Sequence, residues 1–398
     1  MAWPNWPSNE NAQRLHTLNS QYHGGVPAYL DHAASSPLRP EALDAMLPWF
    51  GERHANPTAS HRAGRRARQA LDEARAILAE ATGFERGDVV FTGGGTESDN
   101  LAVGRGHAPG RIVVSAIEHP AVLEPAIRQG AEVVGVDSDG VVAPDDVAAV
   151  CTPETEVVSV MAVNNETGVR QPVAAIATAV HEISPEALVH SDAVQALPWL
   201  DLPAVTTGVD MLSITGHKLG GPQGVGAVVV RDGAMPEPLL VGGGQERDRR
   251  AGTQNVAGIV GFAAAVRASL DDREERLDRI GRLATRLLDG LTAAVDGLAP
   301  TVDSKYRVPG IVHVSIPNVR SEPLLFLLDE HDLSCSAASS CASGAQGASH
   351  VMDAMGVDTR NAAPLRLSLG WSTTEQDIDE ALQLIPAAVE QLQGAVRG

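Results

Sequence analysis

The chain has 398 residues, of which 43% are hydrophobic and 20% charged, with a formal net charge of −20. That length supports two or three domains around a large core. The acidic balance argues against a general nucleic-acid or anionic-membrane surface, because phosphates would be repelled. No stretch approaches the roughly 20 apolar residues that cross a bilayer. The three cysteines, Cys151, Cys335 and Cys341, fit a reducing cytoplasm better than a disulfide framework.

Residues 1–28 read as a polar N-terminal extension without the basic start and apolar run of a secretory signal. Helical spacing of Ala63, Ala67, Ala70, Ala74, Ile77, Leu78 and Ala81 predicts a helix that Gly83 ends. Short β-branched runs follow: "DVVFT", "RIVVSAI", "AEVVGVD", "EVVSVMAV", "ALVHSDA", "DMLSIT" and "GAVVVR". They lack polar alternation and several are separated by helical segments, which predicts an α/β domain with a mostly parallel sheet. Cys151 ends an apolar-periodic stretch and reads as a small buried hydrophobe. The charged segment "DDREERLDRIGRLATRLLDGL" predicts a long helix, or a helix pair, leading into a smaller α+β domain. That domain holds "GIVHVSI", "LRLSLG" and a last helix with a capping-box pattern from Thr373 to Gln376.

Ligands in open α/β sheets gather at the carboxyl ends of strands, so the residues just after each strand are the candidates. "FTGGGTESDN" sets glycines and Thr96 between a strand and a helix, where backbone N–H groups can bind an anion. A plain glycine turn explains it equally well. "IEHP" places His119 after another strand, as a structural residue or a flat ring that could stack on a flat ligand. "VNNETGV" offers Asn164, Asn165 and Glu166. "HSDAVQA" ends a strand on Asp192, followed by Gln195. A helix N-cap and a carboxylate facing a heteroaromatic nitrogen are both open for Asp192. Lys218 in "SITGHKLGGPQG" stands apart, since the chain has 28 arginines and only two lysines, Lys218 and Lys305. A lysine amine can lose its proton and bond to carbon, which a guanidinium cannot do. A phosphate cradle, a stacking ring, a carboxylate, amides and this lysine together point to pyridoxal phosphate.

From "YLDHAASSP" to the C-terminal helix the sequence resembles the cysteine desulfurases of the NifS/IscS type. These are fold-type I pyridoxal phosphate enzymes of the class V aminotransferase group. The resemblance rests on "FTGGGTESDNLAV", "NNETGV", "HSDAVQA", "SITGHKLGGPQGVGAVVV", "GGGQERDRRAGT" and "SSCASG". It implies a seven-stranded, mostly parallel sheet in a large domain (39–272), with a smaller α+β domain formed by 29–38 and 273–398. Lys218 would carry the cofactor as a Schiff base and move protons. Gly95, Thr96, Thr215 and His217 would hold its phosphate, His119 would stack on its ring, and Asp192 would pair with its nitrogen. Asn165 and Gln195 would address the ring face or phenolic oxygen. Arg366, with Asn165, would bind the substrate carboxylate. Thr253 would reach a neighbouring subunit's phosphate, which implies a homodimer.

Cys341 matches the catalytic cysteine that takes sulfur from L-cysteine as a persulfide and leaves alanine. His119 is a candidate for the accompanying proton handling. The sulfur would pass to an acceptor protein such as an iron–sulfur scaffold or a thiolation enzyme. An aminotransferase or selenocysteine lyase on the same scaffold, or a non-catalytic sulfur-trafficking protein, are the alternatives. A metal site from Cys335, Cys341 and His350 is disfavoured, because the cysteine spacing misses the usual zinc pattern.

Overall fold

The computed structural model describes residues 27–85, 88–104, 112–231, 234, 237–337 and 349–397. In chain order the strands are β1 (Ala28–Tyr29), β2 (Val89–Thr92), β3 (Ile112–Ser115), β4 (Glu132–Val134), β5 (Val157–Ser159) and β6 (Leu188–Asp192). They continue with β7 (Met211–Thr215), β8 (Gly226–Val230), β9 (Ala299–Pro300), β10 (Ile311–Pro317), β11 (Leu333–Ser334) and β12 (Ala362–Ser368).

Seven of these form one sheet in the order β2-β8-β7-β6-β5-β3-β4. Every pairing from β7 to β4 is parallel, and β8 alone runs against its neighbours β2 and β7. This is the α/β, mostly parallel seven-stranded architecture expected. Strands β2, β3, β5, β7 and β8 are buried along their whole length. That is why the sequence shows apolar runs there instead of alternation. The "AEVVGVD" run forms only the three-residue edge strand β4, whose first two residues are exposed.

The helix Arg62–Thr82 buries Ala67, Leu71, Ala74 and Leu78 along one face. His61 caps its start by accepting from the Gly64 amide, and Gly83 ends it at φ 77°, a conformation that favours glycine. It packs against the helix Val256–Asp271, which also contacts Pro40–Phe50. Cys151 is buried beside the core, as the periodicity implied.

Toward the C-terminus, β10 lies between β12 and β9 in an antiparallel sheet, and β1 pairs in parallel with β11. The charged segment forms the helix Arg273–Ala294, packed on the last helix, Glu375–Arg397. The capping box sits one residue later than its sequence pattern suggested. The Thr374 hydroxyl accepts from the Asp377 amide while the Asp377 carboxylate accepts from Thr374. Thr373 is instead taken by the Gly370 amide, and Gln376 donates to Glu380. Among the described residues no helix is long and apolar enough to cross a membrane.

Candidate active site

The residues singled out after β2, β3, β5, β6 and β7 sit at the carboxyl ends of those parallel strands, so the sheet brings them to one edge. After β2, Gly93–Gly94–Gly95 leads into the helix Gly95–Val103, whose N-terminus has no side-chain cap. Uncapped amides and the helix dipole favour an anion there. Gly94 has φ 151°, and a Cβ at Gly95 would stand 3.0 Å from a Val194 methyl. Thr96, Thr215 and His217 line the same open cleft, about 680 Å³ in volume, with Ala34, Ser35 and Gln223.

Lys218 lies in the hairpin between β7 and β8. Its Nζ donates to the carbonyls of Ala33 (2.7 Å) and Ala34 (2.8 Å). The segment carrying those carbonyls clasps the lysine loop. Ser36 donates through its amide to His217 O and through its hydroxyl to Lys218 O. Arg39 donates to the carbonyls of Leu219 and Gly220. Gln195 is buried and donates to Ala33 O at 2.7 Å, the same oxygen that receives Lys218.

Asp192, at the end of β6, is 5% exposed and its Oδ1 accepts from the Val194 amide. It caps a local turn and not a helix. Burial pushes its carboxyl up to about 6, against the pull of the Val194 hydrogen bond and the Lys218 charge. His119 caps the helix Pro120–Arg128, its Nδ1 accepting from the Ala121 amide at 3.1 Å. With Nδ1 an acceptor, the neutral ring carries its proton on Nε2. Burial, then the charges of Lys218 and His350, pull its pKa down to about 4. Burial and Lys218 do the same to His217.

Arg366, on β12, is 3% exposed. Its Nη1 donates to Asn165 O (2.9 Å) and its Nη2 to Asp31 Oδ1 (2.8 Å), while Nε has no partner. Asn165 therefore meets Arg366 through its backbone. Cys335 is a partly buried neighbour of this pair, and desolvation first, then Asp31, pushes its thiol up to about 12.

Cys341 lies outside the described residues. The backbone of Ser336, before it, pairs with that of Arg366. After it, Ser349 donates to Glu166 Oε2 at 2.5 Å and His350 Nε2 contacts Glu118 O at 2.9 Å. Burial lifts Glu166 to about 7, against the Ser349 hydrogen bond and Arg366. Thr253 is exposed and does not line the cleft of its own chain among the described residues.

Sequence reasoning missed Asp31, the Ala33 and Ala34 carbonyls, Asp99, Glu118 and His190. One signal was available: His190 stands two residues before Asp192 and so shares its face of the strand.

The sequence profile of the class-V aminotransferases matches residues 28–381. An IscS-like cysteine desulfurase of Mycobacterium tuberculosis is 39% identical over 386 residues, covering 92% of this chain and 98% of that protein. A solved NifS-like protein superposes with a TM-score of 0.85 at 33% identity, covering 92% of this chain and 100% of the other. A structure of SspA in complex with cysteine superposes with a TM-score of 0.74 at 28% identity, covering 86% and 99%.

The chain belongs to the class-V aminotransferase family. Class-V aminotransferases use pyridoxal phosphate, and this site suits it. The uncapped helix N-terminus and glycine turn match a phosphate. The buried Asp192 carboxylate matches a ring nitrogen, and Lys218, whose charge acts on Asp192, supplies a primary amine. The donor set is thus split as the cofactor's own charge is split.

Proposed function

We propose that this class-V aminotransferase is a cysteine desulfurase that converts L-cysteine to L-alanine and collects the sulfur as a persulfide on Cys341. The observation that carries the reading is the seating of Lys218, the one lysine beside the cleft, on the carbonyls of Ala33 and Ala34 with its charge acting on Asp192, His119 and His217. Cysteine-bound SspA supports the substrate.

Pyridoxal phosphate, when bound, supplies an electron sink that lets bonds at the substrate's α-carbon and β-carbon loosen. Gly95, Thr96, Thr215 and His217 would hold its phosphate, and Asp192 would hold the ring-nitrogen proton. Gln195 and Asn165 would address its ring face or phenolic oxygen, and Lys218 would be the covalent anchor and the mobile base. His119 would stack on the ring face and direct its Nε2–H as a hydrogen-bond donor in the proton handling. The buried Arg366 guanidinium receives the substrate carboxylate, its unpartnered Nε offering a directed donor. The Cys341 thiolate takes the substrate sulfur, so that a protein thiol and cysteine become a protein persulfide and alanine, with no external oxidant.

The exposed Thr253 reaches the phosphate site of a second copy, making a homodimer. The chain divides into an N-terminal extension (1–28), a large domain (39–272) and a small domain (29–38 with 273–398). It works in the cytoplasm and passes sulfur to an iron–sulfur scaffold or a thiolation enzyme.

The test is incubation of purified protein with L-cysteine, measuring alanine and sulfide. Cys341→Ala should abolish sulfide release and keep the bound chromophore, and Lys218→Ala should lose both. Amino transfer that survives Cys341→Ala would replace this reading with a transaminase.

A further inference from the structure

Behind the edge that holds Asp192 lies a fully buried group of titratable side chains for which the chemistry above has no use. The helix Gly95–Val103 packs over one face of β6, β7 and β8, with its N-terminus in the cleft. Asp99, in its second turn, is 1% exposed. On the facing sheet, His190 and Asp192 are two residues apart on β6 and share a side. Ser159 and Ser213 are their register neighbours on β5 and β7. The His190 ring is held between Ser159 Oγ (2.8 Å, at Nδ1) and Ser213 Oγ (3.0 Å, at Nε2).

Asp99 lies beside Ser213, whose hydroxyl works against the rise that burial imposes, and close enough to Asp192 for the two charges to act on each other. Its Oδ1 is 3.8 Å from His190 Nε2, too far for a hydrogen bond, and has no other partner. His190 gives no positive charge in return, because burial drives its pKa down to about 3. A third carboxyl, Glu118, is also buried. Its Oε1 accepts from Ser115 and Met161, while Oε2 is bare. A bare oxygen on an ionised, fully buried carboxylate is among the costliest arrangements in a protein, and such a group takes up a proton instead. Of the three, Asp192 is the one with a cation acting on it, the Lys218 ammonium, in addition to the Val194 amide.

We propose that Asp99 is a positioning residue held as the neutral carboxylic acid, so that Asp192 alone carries the negative charge presented to the cofactor's ring nitrogen. The proposal rests on the pyridoxal phosphate reading of the site. Asparagine has the shape of a protonated aspartic acid and no charge, so Asp99→Asn imitates the native state. Asp99→Ala removes the polar group altogether and opens a void in this buried layer behind Asp192.

The test compares holoenzyme of the wild type, Asp99→Asn, Asp99→Ala, Glu118→Gln and Asp192→Asn. Infrared spectra read the carbonyl band of protonated carboxyls, and absorbance read against pH gives the chromophore's apparent pKa. Near neutral pH the wild type should show a protonated-carboxyl band, part of which disappears in Asp99→Asn and a separate part in Glu118→Gln. The chromophore pKa should stay in place in Asp99→Asn and move in Asp99→Ala. An unchanged band in Asp99→Asn overturns the proposal. So does a chromophore shift of about one pH unit in that variant, which is what removing a neighbouring charge would produce. If Asp192→Asn leaves the chromophore unmoved, the assignment of Asp192 itself fails, while the infrared band still decides the state of Asp99.

Discussion

Lys218 and Gln195 donate to the same acceptor, the carbonyl oxygen of Ala33, each at 2.7 Å. One carbonyl thus fixes both the amine and the amide that borders the expected ring position. Gln195→Leu removes one donor and leaves the lysine's seat free to rotate. A lost hydrogen bond of this kind costs about 1 kcal/mol. Titration of the apoprotein with pyridoxal phosphate, followed by absorbance, should therefore show cofactor affinity weakened by about fivefold with the covalent adduct still forming. Failure to form any borohydride-trappable adduct in this variant would show that Gln195 does more than share the carbonyl.

Asp31 fixes one arm of the Arg366 fork, and both side chains are largely buried. Asp31→Ala should leave the guanidinium misaligned for a substrate carboxylate. Steady-state kinetics with L-cysteine should show KM raised about tenfold with a smaller loss in kcat, the pattern of lost ground-state binding. Asp31→Asn, which keeps an acceptor oxygen, should recover part of it. Equal losses in kcat and kcat/KM would place Asp31 in the chemical step instead.

The stability of the apoprotein should peak slightly below neutral pH. His32, His119, His190, His217 and His313 are all pulled down to about 3 or 4 by burial, so they favour the folded state above pH 6.5. That contribution is lost as acid drives protons onto the unfolded chain. Glu166 and Glu118 shift the opposite way, to about 7 and 8, so the folded state holds protons the unfolded chain has released. Stability should therefore fall as the pH rises toward 8, by roughly 1.4 kcal/mol per pH unit for each such group while its proton is retained. Melting curves from pH 5 to 9 check both limbs, and Glu118→Gln should flatten the alkaline one.

Glu246 anchors the segment that carries Thr253. Its carboxylate receives both Nη atoms of Arg75, the Phe91 amide and Gln254. The three residues Glu246, Arg247 and Asp248 all have positive φ, a conformation that must be held in place by its surroundings. Glu246→Ala leaves the largely covered Arg75 with only the Val89 carbonyl and the more distant, exposed Asp72, at a cost of about 3 kcal/mol. Chemical denaturation should show that loss, and limited proteolysis should cut first within residues 243–252. Wild-type resistance in that segment would show that other contacts hold it.

Much of this molecule was legible because its signals are local. Apolar runs marked doubly covered strands, and strand ends marked where Asp192, His119 and Lys218 would meet. What escaped depends on contacts between distant parts of the chain. The grip of residues 33 and 34 on Lys218 uses backbone carbonyls, which leave no trace in residue type. Asp31 meets Arg366 across 335 positions. Asp99 looked like an ordinary helix residue because the sequence does not say which helix face lies on the sheet. The capping box was misplaced by one residue because Thr373 and Thr374 both fit its pattern, and only the tertiary demand of the Gly370 amide separates them.

The antiparallel placement of β8 has a consequence for how this enzyme class can vary. Thr215 and Gly226 are direct partners across the β7–β8 pair, so residues 216–225 begin and end side by side. The Gly216 amide reaches Val225 O, and the Leu219 and Gly221 amides both fold back on Gly216 O. This closed ring has no slack. One inserted residue would swing the amine off its seat, whereas the same insertion in a crossover elsewhere would bulge harmlessly into solvent. The spacing around Lys218 is fixed by carpentry as much as by reactivity.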